Sequence, residues 1–182
     1  MTLRTRFCAV AIFAALAGGA LAATPPAPAK SFVSDKSKDY FGYFLPADPV
    51  KIGKWQVRNL FIAPTDDLKT FEAGRSDKAF GGVMIEFEDV TSPMKTGEDG
   101  NPYHAGQLRV LPLAYHVGMD KVTFAGTDKA LGPVTFVGTF DKDFFKKPSQ
   151  GVPHPDDRPM LRGKLTIGGK VYPAAFNWFG GD

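Results

Sequence analysis

Along most of the chain, apolar and polar residues alternate in short runs, and Gly or Pro closes almost every run. "YFGYFL" (40–45) stops at Pro46, and "KWQVRNLFI" (54–62) stops at Pro64. In "GVMIEFEDV" (82–90), Val83, Ile85 and Phe87 fall on one face and Met84, Glu86 and Glu88 on the other. "GQLRVLPLAYHVG" (106–118) alternates until Pro112, where the missing N–H predicts a bulge or a strand break. A period of two with turn residues at the ends is the signature of half-buried strands. Only "TDDLKTFEAG" (65–74) departs from it. It predicts one short helical turn, with Thr65 as its cap and Gly74 as its end.

Two segments fix their own pairing. Val122–Thr127 ("VTFAGT") returns twelve residues later as Val134–Thr139 ("VTFVGT"). A repeat architecture needs three or more copies, and two copies one strand and one turn apart predict a hairpin whose arms face the same core. In "LRGKLTIGGKVYPAAFNWF" (161–179), Gly168-Gly169 predicts a two-residue hairpin loop, since Gly adopts positive φ without steric cost. That loop sets Leu165 opposite Tyr172, Gly163 opposite Ala174 and Leu161 opposite Phe176, all on one side. Pro173 then lies at a non-hydrogen-bonded pair, so the outer flank of its strand is an edge or its ladder breaks there.

These elements predict an all-β domain: an antiparallel β-sandwich or incompletely closed barrel of about seven to nine strands. The part "LTIGGKVYPAAFNWF" is similar to a hairpin of the YceI-like periplasmic barrels, a family that binds long isoprenoid lipids. The resemblance covers that hairpin alone, and no site residue of the family is carried over from it.

The N-terminus changes how charge is read. Arg4 and Arg6, an apolar run from Phe7 to Ala17, and Ala20-Leu21-Ala22 have the layout of a signal peptide over residues 1–22. Residues 23–38, rich in Pro, Ala, Ser and Lys, then read as a disordered linker, with a single all-β domain over 39–182. The expected location is export, to the periplasm or beyond, with no integral membrane span left after cleavage. Removing the leader takes Lys+Arg from 22 to 20 against 19 acids, so the formal charge falls from +3 to +1. A nearly neutral chain gives no electrostatic case for nucleic acid as a partner. The single cysteine, Cys8, leaves with the leader. That excludes disulfides, a thiol nucleophile and thiolate metal ligands from the mature chain.

Candidate chemistry is sparse. No nucleophile elbow, phosphate loop or dinucleotide fingerprint is present, and no cofactor is implied. Glu86 and Glu88 project from one strand face, whereas glycosidase carboxylates sit across a cleft; a solvated polar face accounts for them. His116, with His154, Asp156 and Asp157, supplies ligand types for zinc, though at no close-spaced pair. The aromatic residues are more numerous. Trp55, Tyr103, Tyr115 and Trp178 combine flat apolar rings with polar atoms that seek partners, as a ligand platform requires. The sequence therefore favours an exported, non-catalytic binding or interaction module for a small hydrophobic molecule or a glycan. A metal-dependent hydrolase-like enzyme built on the His and Asp residues is one alternative. A structural envelope protein that pairs with a protein partner is another.

Overall fold

The alternating runs fold as strands in the computed structural model, which describes residues 31–76, 80–98, 100–146 and 158–181. In chain order the elements are β1 (Ser31–Ser34), β2 (Gly42–Pro46), β3 (Lys51–Ile52), β4 (Trp55–Ile62), α1 (Thr65–Glu72), β5 (Val83–Asp89), β6 (Met94–Thr96) and β7 (Pro102–His104). They continue with β8 (Gln107–Val110), β9 (Pro112–Gly118), β10 (Lys121–Asp128), β11 (Gly132–Phe140), β12 (Leu161–Ile167) and β13 (Lys170–Phe179). The class is all-β, as the alternation predicts. The two- to four-residue strands β1, β3, β6, β7 and β8 raise the number above the expected seven to nine.

One curled sheet runs β1-β9-β10-β11-β12-β13-β2-β4-β5-β8, with β3 added to β4 and β6-β7 forming a separate small hairpin. All of its pairings are antiparallel except β1 with β9. The path bends back on itself because β8 and β9 are halves of one run, broken at Leu111 before Pro112. The first half pairs with β5 and the second with β10. Opposite that break, β10 shifts register between Ala125 and Gly126. The result is an incompletely closed barrel.

Both predicted hairpins form, and the one at Gly168-Gly169 takes its predicted register. Leu165 faces Tyr172, Gly163 faces Ala174 and Leu161 faces Phe176; Phe124 faces Phe136 across β10 and β11. Gly168 and Gly169 take φ of 55° and 85°, the left-handed region that their turn demands. The outer ladder of β13 to β2 runs only from Phe176 to Phe179. It has ended before Pro173, as the missing donor requires.

The inward positions make one core. Phe44, Phe87, Phe124, Phe136 and Phe176 are all essentially inaccessible, with Leu60, Ile62, Ile85, Leu165 and Ile167 packed among them. Space for these rings comes from small residues in one inward row, Gly138 opposite Gly163 opposite Ala174. Phe136 lies against both glycines and meets Phe176 edge-on at 5.6 Å. Side chains fill the barrel. One end is plugged by the turn after β11, where Phe144 stacks on Phe140 at 4.8 Å and meets Trp178 edge-on.

Two expectations are corrected. Residues 31–34, within the stretch assigned to a linker, form β1. The apolar contact that recruits it is Phe32, whose ring meets Phe71 at 4.9 Å and Tyr115 at 5.3 Å. Composition missed this because a single Phe anchors the strand. The helical segment is two turns long, and Thr65 is its first helical residue rather than its cap. Its hydroxyl reaches back to Lys38 O and Asp39 Oδ1 instead, while Gly74 does turn the chain at φ 70°. The signal-peptide reading (1–22) and the rest of the linker reading before residue 31 fall outside the described residues. Among the described residues, no helix is long and apolar enough to cross a membrane.

Candidate functional site

β2 and β4 are apolar on both faces over Tyr43–Phe44 and Leu60–Ile62. Phe44, Leu60 and Ile62 point into the core, so alternation sends Tyr43 and Phe61 to the outside. Cross-strand register then lines up an outer row over four adjacent strands: Phe179 opposite Tyr43, Tyr43 opposite Phe61, and Phe61 opposite Met84. The ring centroids of Tyr43 and Phe61 lie 5.0 Å apart, and those of Tyr43 and Phe179 6.4 Å apart. Phe41 joins Tyr43 and Phe61 edge-on, and Phe80 extends the row edge-on to Phe61 at 5.6 Å. Leu45, Phe80 and Phe179 are each about 40% exposed and Tyr43 is half-buried, so the strip meets solvent at these four residues, whereas Phe61 at 5% and Met84 at 1% are buried.

A polar row runs beside the aromatic one. Asn59 pairs with Glu86 across β4 and β5, and Glu86 with Arg109 across β5 and β8. Asn59 Nδ2 donates to Glu86 Oε2 at 3.1 Å, and Arg109 Nε donates to Glu86 Oε1 at 2.8 Å. The Arg109 guanidinium also sits over the Phe80 ring, at 5.6 Å. Glu86 therefore links an amide and a guanidinium, and is not the free solvated carboxylate that its strand position predicts. Glu88 likewise accepts from Gln56 Nε2 at 3.3 Å. Asn59 is 4% exposed and its Oδ1 has no donor.

Arg58 stands at the centre of this face. The β4–β5 register passes from Val57–Phe87 straight to Asn59–Glu86, which makes Arg58 the extra residue of a β-bulge. Bulges re-aim side chains out of the regular pleat. Arg58 lines three neighbouring grooves. One, of about 610 Å³, is bounded by Phe41, Tyr43, Leu45, Asn59, Glu86 and Phe179. A second, of about 220 Å³, shares Glu86 with it and includes Gln107 and Arg109. The third, of about 390 Å³, shares Gln107 with the second and ends at Asn101, Pro102 and Tyr103. Together they trace one path from β13 to β8 and the β6-β7 hairpin. Five strands at about 4.8 Å spacing give it a span of roughly 19 Å.

Of the aromatic residues expected to meet a ligand, Tyr103 lies at the far end of this path. The other three have different surroundings. Trp55 begins β4 beneath the Lys54 ammonium, 5.1 Å from the ring centre. Trp178 is half-buried, and its indole donates to Phe41 O at 2.9 Å. Tyr115 is 3% exposed, packs on Phe32 and Phe71, and donates to Glu72 Oε1 at 3.3 Å. Burial and the Glu72 carboxylate push the Tyr115 phenol far above its ordinary range. Glu72 also accepts from Ser34 Oγ at 2.7 Å and pairs with Lys36. This cluster ties β1 to α1.

Of the expected metal ligands, His116 is exposed on β9, opposite Val33 and Thr123. His154, Asp156 and Asp157 lie outside the described residues. The third histidine, His104, has Nδ1 within 3.1 Å of Ser92 O. Among the described residues, no three His, Cys, Asp or Glu side chains come together as a metal site.

The fold and site together define a small all-β protein whose barrel interior is packed and whose outer face carries a groove of rings beside polar groups. A scan against protein-family models finds no match, and searches of curated proteins and of solved structures find none either.

Proposed function

We propose that this protein is an exported, non-catalytic binding module whose ligand is a glycan laid along the outer groove from Phe179 to Tyr103. The observation that carries the reading is the pairing of the two rows. A sugar ring has an apolar C–H face and an edge of hydroxyls. Phe179 and Tyr43, side by side across β13 and β2 and both lining the groove, offer flat surfaces to the first. Asn59, Glu86 and Arg109 offer acceptors and donors to the second. The groove is open and elongated, which suits an oligomer. A hydrophobic small molecule wants an enclosed apolar pocket, and the centre of this barrel is occupied by phenylalanine rings. Arg4, Arg6 and the apolar run after them support export.

Affinity electrophoresis through gels cast with soluble polysaccharides tests the reading. The wild type is expected to be retarded by at least one polymer. Tyr43→Ala and Phe179→Ala each weaken that retardation about tenfold, ~1.4 kcal/mol per ring, with unchanged melting temperature for Phe179→Ala. Absence of retardation by every polymer, or retention of it in both variants, sinks the proposal. Crosslinking of the same face to an envelope protein would replace it with the structural alternative.

A further inference from the structure

Arg58 differs from the other charged groups of the groove. Arg109 is already neutralised by Glu86 at 2.8 Å, and Glu86 is shared with Asn59. Arg58 makes no ion pair or side-chain hydrogen bond among the described residues, and it is exposed. Its position is set by the bulge between Val57 and Asn59, which places it where all three grooves meet. A guanidinium presents a planar fork of donors that matches a carboxylate or sulfate with two parallel hydrogen bonds. Glu88, paired with Gln107 and accepting from Gln56, keeps its negative charge but lines none of the three grooves, so with Glu86 satisfied Arg58 is the unpaired charge of the groove lining.

We infer that the glycan is acidic, and that Arg58 binds the carboxylate or sulfate of a sugar whose ring stacks on Tyr43 and Phe179, which line the same groove. The inference rests on the glycan reading above and adds the chemical class of the ligand. The groove discriminates by this one charge: neutral polymers of the same shape stack on the rings but leave the fork hydrated. Lysine at this position keeps the charge and loses the two-pronged geometry, so it restores only part of the preference.

The test uses the full mature chain and four probes: polygalacturonate, its carboxyl-reduced neutral form, dextran sulfate and dextran. Wild type, Arg58→Ala, Arg58→Lys and Arg162→Ala are compared by affinity electrophoresis at low and high salt. Arg162 is an exposed arginine on β12, away from the groove, and controls for general charge. The expected result is that wild type prefers one acidic polymer to its neutral counterpart by at least tenfold. Arg58→Ala abolishes that preference and its salt dependence, Arg58→Lys keeps part of it, and Arg162→Ala leaves it intact. Which acidic polymer is retained identifies carboxylate or sulfate as the group recognised. Equal binding of acidic and neutral polymers by wild type and Arg58→Ala overturns this inference and leaves the glycan reading standing. Equal losses in Arg58→Ala and Arg162→Ala also overturn it, because the attraction is then diffuse. Binding of none of the four polymers, or acidic binding that ignores Tyr43→Ala, removes the glycan reading itself.

Discussion

Gly163→Ala probes whether the filled barrel depends on its small inward row. A Cβ built on Gly163 falls 2.6 Å from Gly138 Cα and 2.9 Å from Phe136 Cε2, and closer still to Val137 O. Carbon atoms pack comfortably at about 3.5–4.0 Å, so the methyl needs close to 1 Å of extra room. Two of the three obstacles are backbone of β11, which is held to β12 by a ladder from Val134–Ile167 to Phe140–Leu161. Overpacking of this kind costs about 1–3 kcal/mol, and an unyielding backbone puts Gly163→Ala near the top of that range. The stiffer unfolded chain returns about 0.4–1 kcal/mol, leaving a net loss of ~2 kcal/mol. For a domain of this size that is a fall of about 4–8 °C in melting temperature. Gly169→Ala is the matched comparison. It has open space around its Cβ but φ of 85°, so only left-handed strain applies, at about 1–2 kcal/mol before the same unfolded-state return. Urea unfolding followed by tryptophan fluorescence measures both variants. If Gly163→Ala is as stable as wild type, or costs less than Gly169→Ala, the close-packed account of the β11–β12 seam is wrong.

Asp89 gives a prediction with pH. Hydrogen bonds from Lys54 and Thr91 hold its carboxyl down to about 2. A depressed carboxyl stabilises the fold above its unfolded value of about 3.9. That contribution is lost as pH falls from about 4 through about 2, so Asp89→Asn should flatten this part of the melting-temperature profile and leave its shape above pH 5 unchanged. A second prediction concerns β1. Glu72→Ala removes the acceptor shared by Ser34 and Tyr115, leaving a buried phenol unpartnered at a cost of about 1–3 kcal/mol. Limited proteolysis should then cut within residues 31–38 faster than in wild type, while hydrogen exchange in β11 and β12 changes little.

The fold was legible wherever turn chemistry and alternation agreed. Gly168-Gly169 alone set seven residue pairs of the β12–β13 hairpin, because a one-residue slip would have turned Leu165 and Phe176 out to solvent. Pro112 announced the break between β8 and β9. The site was less legible, and Tyr115 and Trp178 show why. A ring with a polar atom suggests a ligand, yet their donors are satisfied by Glu72 and by Phe41 O. No sequence pattern pairs residues 43 and 137 positions apart. Arg58 did leave a trace. In "VRNLFI" (57–62) two adjacent polar residues interrupt the alternation, and the phase resumes one residue late. That slip is the bulge. "YFGYFL" left another, since aromatics at consecutive positions 43 and 44 must face opposite sides of a strand.

The contrast between the two halves of the barrel supports the proposed binding face more than any single residue does. On β10 to β12 the outward positions are polar in the main: Thr123, Thr135, Thr139, Arg162, Lys164 and Thr166, with Val137 among them. This is what a solvated face of a barrel needs. On β13, β2 and β4 the outward positions include Phe179, Tyr43 and Leu45 beside Asn177 and Asn59, with Phe61 buried. Phe61 belongs to the core and Tyr43 packs against it, but Leu45 and Phe179 lie outside a core already filled from the inner side by Phe44, Leu60, Ile62 and Phe176. An exposed aromatic strip raises the risk of aggregation and adds little to folding. Under the proposed reading a ligand covers Phe179, Tyr43 and Leu45, and Arg58, without a side-chain partner among the described residues, sets its charge.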